Sequence, residues 1–173
     1  RAGRMIEFPA QAQILATTNL CPCVAFPPVT GYKKNGKCRY SLTRCQRYSQ
    51  RLSGPLVDRF EMLEFTLPLR DFSVAGEMIR HRVRKAQEFN QNLFRDDLSN
   101  SRRELPPIMA TFAPGIAALV PKDFSSHRRR LATLRVARTL ADLDLAKQVQ
   151  QQHLSEALEW TENNFAKLKR WEP

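Results

Sequence analysis

The chain has 173 residues, of which 42% are apolar and 26% charged, enough for one substantial core or two small ones and ordinary for a soluble globular protein. Lysine and arginine number 28 against 17 aspartate and glutamate, a formal net charge of +11, which points toward an anionic partner such as nucleic acid or nucleotide phosphate. No apolar run approaches the ~20 residues that span a bilayer and no secretory signal is present, so no membrane partner and a cytoplasmic location are expected.

The first residue is Arg rather than Met, and Arg1-Ala2-Gly3-Arg4 reads as the middle of an element, so a fragment of a longer protein is expected. Residues 5 to 19 predict one or two strands. Within them Ile14-Leu15-Ala16-Thr17-Thr18-Asn19 reads as a buried strand ending in a side-chain amide, a group able to orient water. Asn19 reads equally as a turn residue bonded to nearby backbone amides. From Leu20 to Gly36, prolines and glycines replace periodic apolar positions, which predicts a long irregular loop. Its Gly31-Tyr32-Lys33-Lys34-Asn35-Gly36-Lys37-Cys38 matches the spacing of a phosphate loop, then fails where a hydroxyl must hold magnesium. It also follows Phe26-Pro27-Pro28 rather than an apolar strand. No run of four apolar residues ends in Asp-Glu, so this stretch of chain alone is not expected to hydrolyse ATP.

Cys38 to Leu52 predicts a short polar helix turning Leu42, Cys45 and Tyr48 inward, and a strand is predicted around Met62 to Leu67. Between them, Ser53-Gly54-Pro55 forms a turn and Leu56-Val57-Asp58-Arg59 follows. A guanidinium at such a corner reaches a phosphate on a neighbouring surface with little further loss of freedom. The bland alternative for Arg59 is a surface ion pair with Asp58 or Glu61. A change of composition at Pro68 to Asp71 places a domain boundary near residue 70.

Beyond it the chain reads as helical. Val74, Met78, Ile79, Val83, Ala86, Phe89 and Leu93 recur at helical spacing, with Asp71 or Ser73 as cap. A prolyl loop at Pro106-Pro107 leads to an apolar segment, Ile108 to Val120, split by Pro114 and Gly115. Ser125 or Ser126 caps a helix to about Leu145 with Leu131, Leu134, Ala137, Leu140 and Ala141 inward, and residues 150 to 163 form a last helix burying Leu154, Ala157 and Leu158. Arg128, Arg129 and Arg130 fall in the first turn of the Ser126 helix, where the dipole disfavours cations and a functional use is worth seeking; a solvated basic helix is the alternative. His81, His127 and His153 have no partner at ligand spacing, and no hydrolase nucleophile motif is present. The four cysteines, Cys21, Cys23, Cys38 and Cys45, form C-x-C and C-x6-C pairs that could bind zinc through thiolates; a packed free thiol is the alternative for Cys45.

The order Phe8-Pro9-Ala10, Ile14 to Asn19, Cys21-Pro22-Cys23, Arg51 to Arg59, Arg128 and His153-Leu154-Ser155-Glu156-Ala157-Leu158 resembles the C-terminal part of a magnesium-chelatase-like AAA+ ATPase, closest to the ComM (YifB) competence and branch-migration family. The resemblance implies an α/β fold class: residues 1–70 as the end of an AAA+ P-loop NTPase core and residues 71–173 as the α-helical lid domain. It implies Asn19 as sensor 1, Arg59 as the arginine finger, and Arg128 as sensor 2, with Arg129 or Arg130 as alternatives for that contact. ATP and magnesium would serve the full-length protein, a homo-oligomeric and hexameric ring. In these relatives the cysteine loop reads differently: Leu20 stands for a proline, Val24 for a glycine, and Tyr40 falls where a fourth cysteine is expected. DNA translocation or branch migration is the first implied use; metal insertion into a tetrapyrrole, or a non-hydrolysing binding module, are the alternatives.

Overall fold

The helix His127–Leu143 buries ten of its 17 residues, the polar Arg129, Thr133, Arg138 and Asp142 among them, so it lies inside the structure rather than on it. In the computed structural model, which describes residues 13–19, 40–52, 54–65 and 76–169, Gly76–Phe94, Leu105–Met109, Gln151–Leu158 and Glu159–Asn163 pack against it, among nine helical elements in the described residues. In chain order these are α1 (Leu42–Ser49), α2 (Gly54–Val57), α3 (Gly76–Phe94), α4 (Leu105–Met109), a 3-10 turn (Ile116–Leu119), the central α5 (His127–Leu143), α6 (Gln151–Leu158), a π-helical turn (Glu159–Asn163) and α7 (Asn164–Lys169).

Ser126 starts α5 by accepting a hydrogen bond from the Arg129 amide at 3.1 Å. Leu134, Val136, Ala137, Leu140 and Ala141 then meet Ile108 of α4, Phe112, Val120, Val149 and the Leu154 and Ala157 of α6 in one core. Pro106 and Pro107 occupy the first turn of α4, where a missing N–H costs no helical bond, and so the segment expected as a prolyl loop is the start of a helix that buries Ile108. Gly115, at φ 82°, separates α4 from the 3-10 turn, in agreement with the expected break. The last helix runs beyond Asn163 to Lys169, because the π-helical turn widens the helix without ending it. There the Thr161 hydroxyl bonds Ala157 O at 2.7 Å and meets the Thr133 hydroxyl of α5 at 2.6 Å.

A second, polar contact joins α3 to α5. The Asn90 amide donates to Asp142 at 2.8 Å and to Asn100 at 3.0 Å, while Asn100 donates to Asp142 at 2.7 Å and to Thr139 at 3.0 Å. Arg103, 4% exposed, forks onto Asp96 and lies 3.7 Å over the Phe94 ring. The expected helical repeat is present, yet on α3 only Ala86 and Asn90 are buried; Met78, Ile79 and Val83 lie on the exposed N-terminal half.

Neither predicted strand is present among the described residues, where the nearest thing to sheet is a single parallel bridge between Phe112 and Val149. Residues 13–19 carry no regular structure, with Ile14 73% and Leu15 95% exposed, and the expected buried strand has no ladder partner among the described residues. Residues 61–65 are likewise not a strand. Leu63 spends its backbone groups on a helix, its N–H reaching Trp160 O and its carbonyl accepting from the Asn164 side chain, both at 2.8 Å. The α/β part of the expected fold is therefore not seen in the described residues, while the helical part is. The expected boundary near residue 70 falls outside the described residues.

Candidate functional site

Gly54 and Pro55 open a single helical turn instead of the simple turn expected, since Pro fits the first turn of a helix and fixes its φ. The Asp58 amide closes onto Gly54 O at 2.9 Å, and those of Arg59 and Phe60 onto Leu56 O and Val57 O at 3.1 Å each. A short helix leaves its last carbonyls without partners, and a cation placed at that end satisfies both the carbonyls and the dipole. Arg129 is that cation. Fully buried, it donates to Val57 O at 2.8 Å, to Phe60 O, to Glu61 O at 3.4 Å and to Asp58 Oδ1 at 3.2 Å. Its guanidinium carbon lies 4.5 Å from the centre of the Phe165 ring, which closes the other face.

Asp58 also accepts from the Ser126 hydroxyl at 2.8 Å, so the residue that caps α5 is itself held by the corner. Partial burial raises the Asp58 pKa, but the hydrogen bonds from Ser126 and Arg129 and the charges of Arg129 and Arg128 outweigh it and hold the carboxyl below its ordinary value. Glu61 lies 4.0 Å from Arg135. Both acidic neighbours of Arg59 are thus engaged by α5, and the surface pair weighed as the alternative does not form. The exposed Arg59 makes one hydrogen bond, from Nη1 to Pro55 O at 2.6 Å, which folds its stem back along the α2 turn.

The three arginines at the start of α5 separate in role. Arg129 is excluded as a phosphate contact, because every face of its guanidinium is covered by the corner and Phe165. Arg128 and Arg130 are exposed, and their side chains make no hydrogen bond or ion pair among the described residues. The charge of Arg128 contributes to lowering the Asp58 pKa, and Arg59 is the residue after Asp58.

Asn19 is exposed at the end of the irregular segment 13–19, and its carbonyl accepts from the Thr18 hydroxyl at 3.2 Å. No contact joins it to Arg59 or Arg128 among the described residues. Cys21, Cys23 and Cys38 lie outside the described residues, as does the side chain of Cys45; so does the Gly31 to Cys38 loop. Among the described residues no three His, Cys, Asp or Glu side chains converge to hold a metal. His81 and His127 are exposed, but His153 is 2% exposed, with Nδ1 accepting from the Gln150 amide at 3.0 Å and Nε2 3.2 Å from Asp144. It starts α6 structurally. No helix among the described residues is long and apolar enough to cross a membrane.

Two family models match successive parts of the chain: one described as magnesium chelatase, subunit ChlI, over residues 1–71, and one described as magnesium chelatase, subunit ChlI C-terminal, over residues 74–161. The chain belongs to the magnesium-chelatase family. With that membership comes the AAA+ class, of which the structure here describes the helical part. Similar proteins are YifB of Salmonella typhimurium, 32% identical over 92% of this chain, YifB of Escherichia coli, 30% over 92%, and the competence protein ComM of Haemophilus influenzae, 30% over 91%. This magnesium-chelatase-type chain covers about a third of the length of each, 33%, 33% and 32%. No solved structure matches it.

Arg129 as a clamp is what sequence reasoning missed. Its signal was present in the same place, since a cation in the first turn of α5 is unfavourable unless another group compensates for the dipole. The compensating group is the C-terminal end of α2, about seventy residues away in sequence, and no local pattern announces it.

Proposed function

We propose that this chain is part of a cytoplasmic, ring-forming AAA+ ATPase of the magnesium-chelatase and ComM type, a homo-oligomer built as a hexamer. In it Arg59 acts as the arginine finger toward a neighbouring subunit's ATP. The observation that carries the reading is the exposed Arg59 guanidinium on a corner whose two acidic neighbours are both occupied, so its charge is left for an anion. Arg128 supplies a second cation beside the same corner, in the role of sensor 2, and Asn19 orients the attacking water as sensor 1. A finger of this kind neutralises charge that builds on the transferred phosphoryl oxygens. Magnesium bound with the nucleotide would supply further charge neutralisation; the described residues offer no cluster of acids to hold it, so this chain's part is the cations.

The motor is coupled to DNA, which suits the +11 charge and the similarity to a protein named for competence. The exposed Arg80, Arg84 and Lys85 of α3 are cations that could contact phosphates. The family's printed description supports a second reading, a chelatase-type ATPase driving metal insertion into a tetrapyrrole. In the assembled ATPase, Arg59→Ala should lower turnover by ~10³ to 10⁵, and unchanged turnover sinks the proposal. Salt-dependent binding of single-stranded or branched DNA, with turnover that rises on binding, supports the DNA motor. Turnover indifferent to DNA favours the chelatase reading.

A further inference from the structure

A finger is useful only if its position is tied to the moment of hydrolysis, and the corner bearing Arg59 is tied to one thing in particular. Residues 57–61 are held to the start of α5 by Arg129 and Ser126, and Leu63 is held to the π-helical turn and α7 by Trp160 O and Asn164. The Arg129 partners lie 68 to 72 residues away in sequence, so these bonds serve no local folding need of α5.

We infer that Arg129 is a positioning residue for the finger: its buried guanidinium locks the Arg59 corner onto the helical domain, so that Arg59 moves with α5 as one unit. The inference rests on the reading of Arg59 given above. Each of the three carbonyls and the Asp58 carboxylate that Arg129 holds lies within two residues of Arg59. A fork of five fixed donors fits four acceptors around one corner, whereas an ammonium with three rotatable donors on a flexible stem cannot hold them together. Arg129→Lys therefore keeps the charge and loses the geometry. The corner would then tilt while its α2 turn stays intact, because the amide bonds of Asp58, Arg59 and Phe60 are internal to it.

The test uses the assembled ATPase that carries this chain, with Arg59→Ala, Arg129→Lys, Asp58→Ala and the double variant Arg59→Ala/Arg129→Lys. Arg129→Lys should lower kcat by ~10²-fold, the usual consequence of a displacement of about 1 Å, with KM for ATP changed less than about twofold because the finger acts on charge that builds in the transition state. The double variant should be no slower than Arg59→Ala alone, since a displaced finger and a missing one lose the same interaction. Asp58→Ala removes one acceptor at a partly exposed site and should give a smaller loss of the same kind, which keeps the question open to test should Arg129→Lys fold poorly. Multiplying losses in the double variant, or wild-type kcat in folded Arg129→Lys, overturn the positioning role while leaving the finger in place. An Arg59→Ala enzyme with full turnover overturns the finger itself, and the positioning role with it.

Discussion

Helix α5 carries a fully buried arginine near each end, and the two make opposite uses of the same chemistry. Arg138 donates to Asp142 at 3.1 Å, to Lys147 O at 3.1 Å and to Ala146 O at 2.5 Å, partners only four to nine residues away. Arg129 gathers the carbonyls of Val57, Phe60 and Glu61 and the Asp58 carboxylate, 68 to 72 residues away. Burial lowers the pKa of Arg138, which the Asp142 charge and hydrogen bond resist. One arginine therefore finishes its own helix and the loop that follows; the other brings a distant exposed cation to the helix. A buried guanidinium is costly unless every donor finds an acceptor, and carbonyls left open at a helix end or a turn are the acceptors nearest to hand.

If that contrast holds, breaking the Arg138 end should be the more damaging to stability. Arg138→Met leaves the Asp142 charge buried with Asn90 and Asn100 as its remaining donors, and a loss of about 3–5 kcal/mol is expected in urea unfolding. A loss under 1 kcal/mol would show that the local clamp is dispensable. Next in size is Asn100→Ala, which strands Asp142 Oδ2 of one donor and Asn90 of an acceptor; a cost of about 1–3 kcal/mol is expected for buried partners left unpaired. By contrast Arg59→Ala, at an exposed side chain, should shift stability by less than about 0.5 kcal/mol, so that any loss of turnover belongs to function.

At the Arg129 end the contrast can be sharpened with acid. Asp58 has a folded-state pKa below its ordinary 3.8, so it contributes stability above the unfolded value, and that contribution disappears as the pH falls from about 3.8 through the lower folded value. Asp58→Asn should therefore be less stable than the parent by about 1 kcal/mol at neutral pH. The two unfolding curves should converge below pH 3.8. A difference that persists unchanged in acid would mean that the carboxylate charge plays no part in holding the corner.

The two ends also differ in what the sequence disclosed. The cap at Ser126, the inward Leu134, Ala137, Leu140 and Ala141, and the break at Gly115 are local or periodic signals, and each matches the structure. The expected strands are not seen among the described residues, and a short apolar run such as Ile14 to Ala16 carries no information about whether a neighbouring strand will pair with it. For the candidate site, the Gly54-Pro55 corner and the odd cluster Arg128 to Arg130 were visible as residues out of place. That Arg129 would be buried, and Arg128 left exposed, depends on contacts across 68 to 72 residues, which no local spacing encodes. Arg138 was equally invisible, since a basic residue on an apolar helix reads as surface until its carbonyl partners are known.

A small gain rather than a loss is expected just past the Arg138 end. Leu145 follows α5 with φ 53°, and the chain reverses there, its N–H reaching Asp142 O at 3.0 Å and that of Ala146 reaching Ala141 O at 2.8 Å. This pairing of successive amides with carbonyls of the last turn is the helix ending that ordinarily uses glycine, because a β-carbon crowds the neighbouring carbonyl in the left-handed region. Leu145 is 47% exposed, so shortening it removes little packing. Against the relief of left-handed strain stands the greater backbone freedom that glycine has in the unfolded chain, and the two differ by little. Leu145→Gly should raise stability by about 0.5–1 kcal/mol, read as a higher midpoint in thermal unfolding. A fall instead would mean that the leucine side chain holds the 145–147 loop in place for Arg138, and that the local clamp reaches further than its own hydrogen bonds.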